Sequence, residues 1–190
     1  MYTRGFGKLA ILAREANKIT SKLASHMEIG VITRLMIASG KGFDILAQAR
    51  IAESFSAIRL NAEKLNAALG LIEALDKLTE VRHEDPAVFY LLERALAILS
   101  QSGRAIVGNL LYHYLLHLLM LLGHAPAMKD ERVLQALLVA EIGDDDILVE
   151  EEARKVIDRY LRLALDEKQL FCFGSAIAPS EVYDKFFQKE

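Results

Sequence analysis

The sequence predicts an α+β fold, a small strand-rich segment followed by a larger helical body. Three observations carry that expectation. Up to about residue 55 the apolar residues come in short runs rich in β-branched side chains, and from about Ser56 they follow the helical period. Glycines and an Asp-Pro pair fall where such a chain needs turns and helix starts. Charge divides at nearly the same place. The first 50 residues hold eight Lys and Arg against three Asp and Glu, whereas the remaining 140 hold 15 against 23.

Lys8 to Arg14 is short, apolar and closed by charge, as a strand buried on one face would be. Ile29 to Ala38 is a second strand, containing Val31, Ile32, Thr33 and Ile37. Gly40, Lys41 and Gly42 signal a turn, and Phe43 to Arg50 returns from it. Lys18 to Met27, between the first two strands, reads as a short helix or an irregular loop. Three short strands cannot stand alone, so they require another strand or a helical layer over them.

The helices follow in order. Leu65, Leu69 and Ile72 stand at i, i+4 and i+7 of the first. Asp85 and Pro86 supply an N-cap and a first-turn proline for the second, whose face is traced by Val88, Leu92, Leu96 and Leu99. The third follows Gly103 and stops at Gly123, with Pro126 beyond. A fourth runs from Asp130 to about Ile142 with Val133, Leu134, Leu137 and Leu138 inward. A fifth follows Asp144 to Asp146, with Val149, Val156, Ile157, Tyr160 and Ala164 on one face. The tail from Pro179 to Phe187 adds a short amphipathic piece capped by Ser180.

Several function classes find no support. Cys172 is the single cysteine, so neither an intrachain disulfide nor a Cys-x-x-Cys zinc pair is available, and a cytoplasmic protein is expected. The first residues have no apolar core of a signal peptide. Ala105 to Gly123 carries no Asp, Glu, Lys or Arg and approaches the length of a membrane span. Asn109, His113, His117, Tyr112 and Tyr114 lie inside it, which fits a buried central helix and no membrane partner. His113 and His117 share a helix face, but that helix offers no carboxylate or thiolate to complete a metal site. The acidic runs 144–146 and 150–152 are accounted for by helix N-termini. Gly5, Phe6, Gly7 and Lys8 lack the spacing of a phosphate loop, and no nucleophile elbow occurs. No catalytic residue, metal or cofactor is expected.

The basic series is the informative signal. Arg4 and Lys8 flank a glycine turn, and Arg14, Lys18 and Lys22 recur four residues apart after it. Cations grouped around a small sheet suit a phosphate backbone, held by charge without reading sequence. With Arg34 and Lys41 they make seven candidate nucleic-acid contacts.

Taken in order, these landmarks resemble the RecO family of bacterial DNA repair and recombination mediators. The matching elements are Thr3 to Leu9 (TRGFGKL), Ala13 and Arg14 with Lys18, and Ser21 to Leu23. Gly40 to Leu46 (GKGFDIL) and Ala52 to Phe55 (AESF) follow. Leu118 to Pro126 (LLMLLGHAP) is similar to the family's central "LLxxLGYxP" helix, and Tyr160 and Leu161 with Leu170 and Phe171 echo its C-terminal helix. The resemblance implies an OB-fold over residues 1–56 that binds DNA, and a helical domain over 57–190 that holds partners. It implies binding of single- and double-stranded DNA, strand annealing, and partnership with RecR and with the acidic C-terminal tail of single-strand-binding protein. Together these would help load recombinase onto coated DNA. The family's DNA-contacting positions carry over to Lys8, Arg14, Lys18 and Lys22.

Three departures accompany it. The match starts at the family's second strand, so the expected barrel lacks its first. The four-cysteine zinc site found in many members is absent from residues 127 to 150. Glu15 stands where glycine is usual. The alternative reading is a helical interaction adaptor that no longer binds DNA.

Overall fold

The computed structural model describes residues 1–13, 24–40, 42–101, 103, 107–124, 134–135, 137–140, 142 and 149–165. Two short strands, β1 (Tyr2–Thr3) and β2 (Gly7–Lys8), form an antiparallel hairpin. β3 (Ile11–Leu12), β4 (Val31–Ala38) and β5 (Asp44–Ser54) form a second sheet in the order β3-β5-β4, with β3 parallel and β4 antiparallel to β5. A 3₁₀ turn, Ala24–Met27, precedes β4. The helices are α1 (Ser56–Arg59), α2 (Ala62–Leu78), α3 (Pro86–Gln101), α4 (Val107–Leu121) and α5 (Glu151–Ala164). Residues 134, 135 and 137 to 139 are also helical, within the fourth predicted helix. The mixed α and β composition is therefore as expected, and the described strands do not close a barrel.

Three readings need correction. Lys8 to Arg14 is not one strand, because the chain changes partner at Leu9 and Ala10, leaving β1 for β5. On α2 the buried face is Ala67, Ala68, Gly70, Leu71, Ala74 and Leu75, while Leu69 on the expected stripe is 42% exposed. Small side chains on that face let the large residues of α4 come close, which a search for leucines overlooks. Val149 is buried but precedes α5, and Leu161 joins Ile157 and Ala153 on the inward face.

α4 is the centre of the molecule. Ten of its fifteen residues are buried, from Val107 to Leu119, and α2, α3 and α5 all pack on it. The uncharged stretch noted in the sequence is thus a core helix, apolar because most of it is covered, with Met120 and Leu121 exposed at its C-terminal end. No described helix is long and apolar enough to cross a membrane. Gly123 ends it with φ +85°: its N–H donates to Met120 O at 3.0 Å, and that of His124 to Leu119 O at 2.8 Å, a Schellman arrangement. The Asp85 cap of α3 is also as expected, with Oδ1 accepting from Ala87 N at 3.0 Å and Val88 N at 3.2 Å.

Several polar groups of α4 fix a neighbour, while the buried Tyr114 hydroxyl meets no hydrogen-bond partner among the described residues. Asn109 Oδ1 accepts from Val149 N at 3.4 Å and from Arg154 Nη2 at 3.3 Å, and the Arg154 guanidinium lies 5.3 Å from the centre of the Tyr112 ring. Burial raises the Asp158 carboxyl, against which Arg162 works, and raises the Tyr112 phenol beside it. His113 Nε2 and His117 Nε2 both meet Leu137 O, at 3.0 and 3.3 Å, with ring centres 4.8 Å apart. A carbonyl oxygen only accepts, so both rings carry their proton on Nε2. Burial lowers the His117 pKa below its ordinary 6.5, partly offset by that bond to Leu137.

The strands dock on the helices through the loop between α2 and α3. Val81 bridges Lys8 as a parallel partner, and Arg82 N donates to Lys8 O at 2.9 Å. Arg82 is the one described non-glycine residue with positive φ, +61°. That conformation costs about 1 kcal/mol or more. The ion pair of its guanidinium with Asp44 Oδ2, at 2.9 Å, helps hold it. Gly7, at φ +62°, lies against the His83 carbonyl, which an added Cβ would overlap.

Gly7→Ala should therefore destabilise the fold by about 2 kcal/mol or more, while Gly5→Ala, with nothing within 4 Å, should be tolerated. Denaturant midpoints of the two variants check this. The His117 shift gives a pH prediction. Its neutral form is favoured in the folded state, so its contribution is full above about pH 6.5 and is lost as pH falls towards the lowered folded pKa. The thermal midpoint of the parent should drop between pH 7.5 and 5.5, and His117→Gln should drop less steeply over the same range.

Candidate nucleic-acid interface

The β4–β5 ribbon sorts its side chains by register. Leu35 lies opposite Ala49 and Ile37 opposite Leu46, and both Ala49 and Leu46 are buried. The alternate positions face water: Arg34 lies opposite Arg50, and Met36, 61% exposed, opposite Gln48. Directly opposed residues have Cβ atoms about 5 Å apart, so two arginines arise from facing positions on an exposed sheet face. Neither is in an ion pair with any described residue. Like charges opposed across a sheet cost roughly 0.2–1 kcal/mol in themselves, and a bound phosphate would reverse the sign of that interaction.

The seven expected contacts fare differently. Arg34 sits on this face. Lys8 turns the other way, its ammonium donating to Asp76 O and lying 3.4 Å from Asp76 Oδ1 in the last turn of α2. There it meets the negative end of a helix dipole as well as a carboxylate. Arg4 Nη1 donates to the Tyr90 hydroxyl on α3 at 3.2 Å. Arg14, Lys18, Lys22 and Lys41 lie outside the described residues. Among the described residues no three His, Cys, Asp or Glu side chains converge to hold a metal ion.

No family profile matches the chain. Curated proteins do. It is 33% identical over 124 residues to the DNA repair protein RecO of Roseiflexus sp. (strain RS-1), covering 65% of this chain and 43% of that one. With the DNA repair protein RecO of Listeria welshimeri it is 33% identical over 129 residues, 67% of this chain and 49% of the relative. With that of Cutibacterium acnes it is 31% identical over 135 residues, 68% and 55% of the two. The chain belongs to the RecO family. It spans about half the length of the curated RecO proteins it matches.

In this RecO-family chain the residue that sequence reasoning missed is Arg50. β5 carries the signal, but an irregularity in the ladder at Met36/Ile37 hides it. Counting symmetrically from the turn pairs Arg34 with Ala49, and the shift at Met36/Ile37 moves the partner one residue on, to Arg50. If the opposed arginines repel, Arg50→Gln should raise stability by about 0.2–1 kcal/mol at low ionic strength. That gain should fade in 1 M salt, where the Debye length is about 3 Å. Urea titrations at the two salt concentrations check it.

Proposed function

We propose that this chain binds DNA through its strand-rich N-terminal segment and acts in DNA repair without being an enzyme. In this reading residues 1–56 correspond to part of an OB-fold and 57–190 to a partner-holding helical domain. The activity is annealing of complementary strands and help in loading recombinase onto DNA coated by single-strand-binding protein. Single- and double-stranded DNA, RecR and the C-terminal tail of single-strand-binding protein are the proposed partners, in the bacterial cytoplasm. The curated relatives are DNA repair proteins by name, which supports the repair role.

The observation that carries the DNA reading is the Arg34–Arg50 pair, two cations opposed on an exposed sheet face and in no ion pair with a described residue. Cations so placed suit the sequence-independent holding of phosphates that annealing requires. Arg14, Lys18, Lys22 and Lys41 are proposed to extend the same basic surface. The engagement of Lys8 with Asp76 favours the second reading, an interaction adaptor without DNA affinity, because it removes one cation from the surface.

Fluorescence anisotropy with a labelled single strand separates the two. The DNA reading expects binding that weakens with salt, with a log–log slope of about −0.7 per phosphate contacted on single strands. Replacing both Arg34 and Arg50 by Gln should reduce that slope by roughly 1.4 and lower affinity at 50 mM salt. Affinity unmoved by salt and by both substitutions would leave the adaptor reading standing.

A further inference from the structure

The hairpin tip between β1 and β2 is built to hold its side chains out. Thr3 Oγ1 donates to Gly7 O at 3.0 Å and accepts from Phe6 N at 3.2 Å, so one hydroxyl closes both sides of the turn. Phe6 is nevertheless 66% exposed on that ordered turn. Arg4, two residues earlier, extends to α3 and donates to the Tyr90 hydroxyl. Tyr90 is 50% exposed, and its ring is set edge-on against Phe89 with centres 5.9 Å apart. Among the described residues Tyr90 is the one side-chain partner of the Arg4 guanidinium, and no described carboxylate pairs with it. The Asp85 carboxylate, at the base of α3, is spent capping that helix.

An exposed cation hydrogen-bonded to an exposed tyrosine, with a second exposed aromatic on the same turn, has a definite complement. A ligand that offers both negative charge and flat apolar faces satisfies all three at once, and a single-stranded nucleic acid does so along its whole length. A duplex offers the charge but keeps its base faces stacked inside. We propose that Phe6, Arg4 and Tyr90 form a contact for single-stranded DNA that reaches from the strand segment onto the helical body, with bases stacking on the two rings and a phosphate on Arg4. The site rests on the DNA-binding reading above and adds a preference for unpaired strands, supplied in part by a helix expected to serve partners alone.

The chain contains no tryptophan, so Tyr90→Trp introduces a single reporter at the site. Its emission should be quenched on titration with a labelled oligothymidine and should not respond to a blunt duplex of the same length. Phe6→Ala, at an exposed position, should weaken single-strand binding about fivefold or more and leave duplex binding within twofold. Arg4→Ala should lower the single-strand salt slope by about 0.7. Thermal midpoints within 2 °C of the parent's, roughly the resolution at which folding is unaffected, qualify each variant. The proposal is overturned if anisotropy reports single-strand binding while the tryptophan emission stays constant and Phe6→Ala binds like the parent. It is also overturned if Phe6→Ala weakens duplex and single strand equally. Both of those outcomes leave the Arg34–Arg50 reading intact, whereas a parent that binds neither DNA at low salt removes the two together.

Discussion

α4 buries ten of its fifteen residues, and the rest of the helical body follows from the need to cover them. Each large buried side chain contributes about 1.5–3 kcal/mol only while its neighbours stay in place. α2 meets the requirement with alanines and glycine, which bring its backbone close to the leucines of α4. α5 meets it with Ala153, Ile157 and Leu161, and α3 with Val88, Ala95, Leu96 and Leu99. The polar side chains of α4 are arranged within the same limits. Asn109 reaches Arg154 of α5, and His113 and His117 converge on a single carbonyl, whereas the buried Tyr114 hydroxyl is left without a partner among the described residues.

The features legible in the sequence were those with local causes. The Asp85 cap, the Gly123 stop and the burial of the uncharged stretch each depend on residues a few positions apart, and each stands in the structure as expected. The β4–β5 hairpin was legible for the same reason, since its turn and β-branched strand are contiguous. The misreadings concern relations between elements. That Ala67, Ala68 and Ala74, and not Leu69, face inward depends on what packs against α2, and an alanine announces nothing in a periodicity count. The break at Leu9 depends on β5, more than thirty residues away. Arg50 came into view only with the register, because a single irregularity in a ladder changes which side chain faces which.

Charge shows the same division between local and distant causes. A count of cations in the first fifty residues treats Arg4, Lys8 and Arg34 alike, and the structure does not. Lys8 is directed at the end of α2, Arg4 at a tyrosine of α3, and Arg34 at solvent beside another arginine. The energetic logic differs in each case. Lys8 gains from a helix terminus and a carboxylate, and Arg4 is oriented by a hydroxyl with no described carboxylate paired to it. The Arg34–Arg50 pair is a mild expense to the free protein, of the kind usually associated with a ligand of opposite sign.

The contacts of Lys8 with Asp76, Val81 and Arg82 join segments some seventy residues apart in sequence. This has a consequence for how the protein is made. On a ribosome adding about 5–20 residues per second, the β1–β2 hairpin leaves the tunnel several seconds before the loop that receives it. A two-residue ladder has little stability of its own in that interval. Helices α2 to α4, whose contacts are mostly sequential, can consolidate as they emerge, and the strands then close onto a finished surface. The hairpin would thus settle later than the helices it docks on, and its glycine turn waits for the His83 carbonyl to arrive.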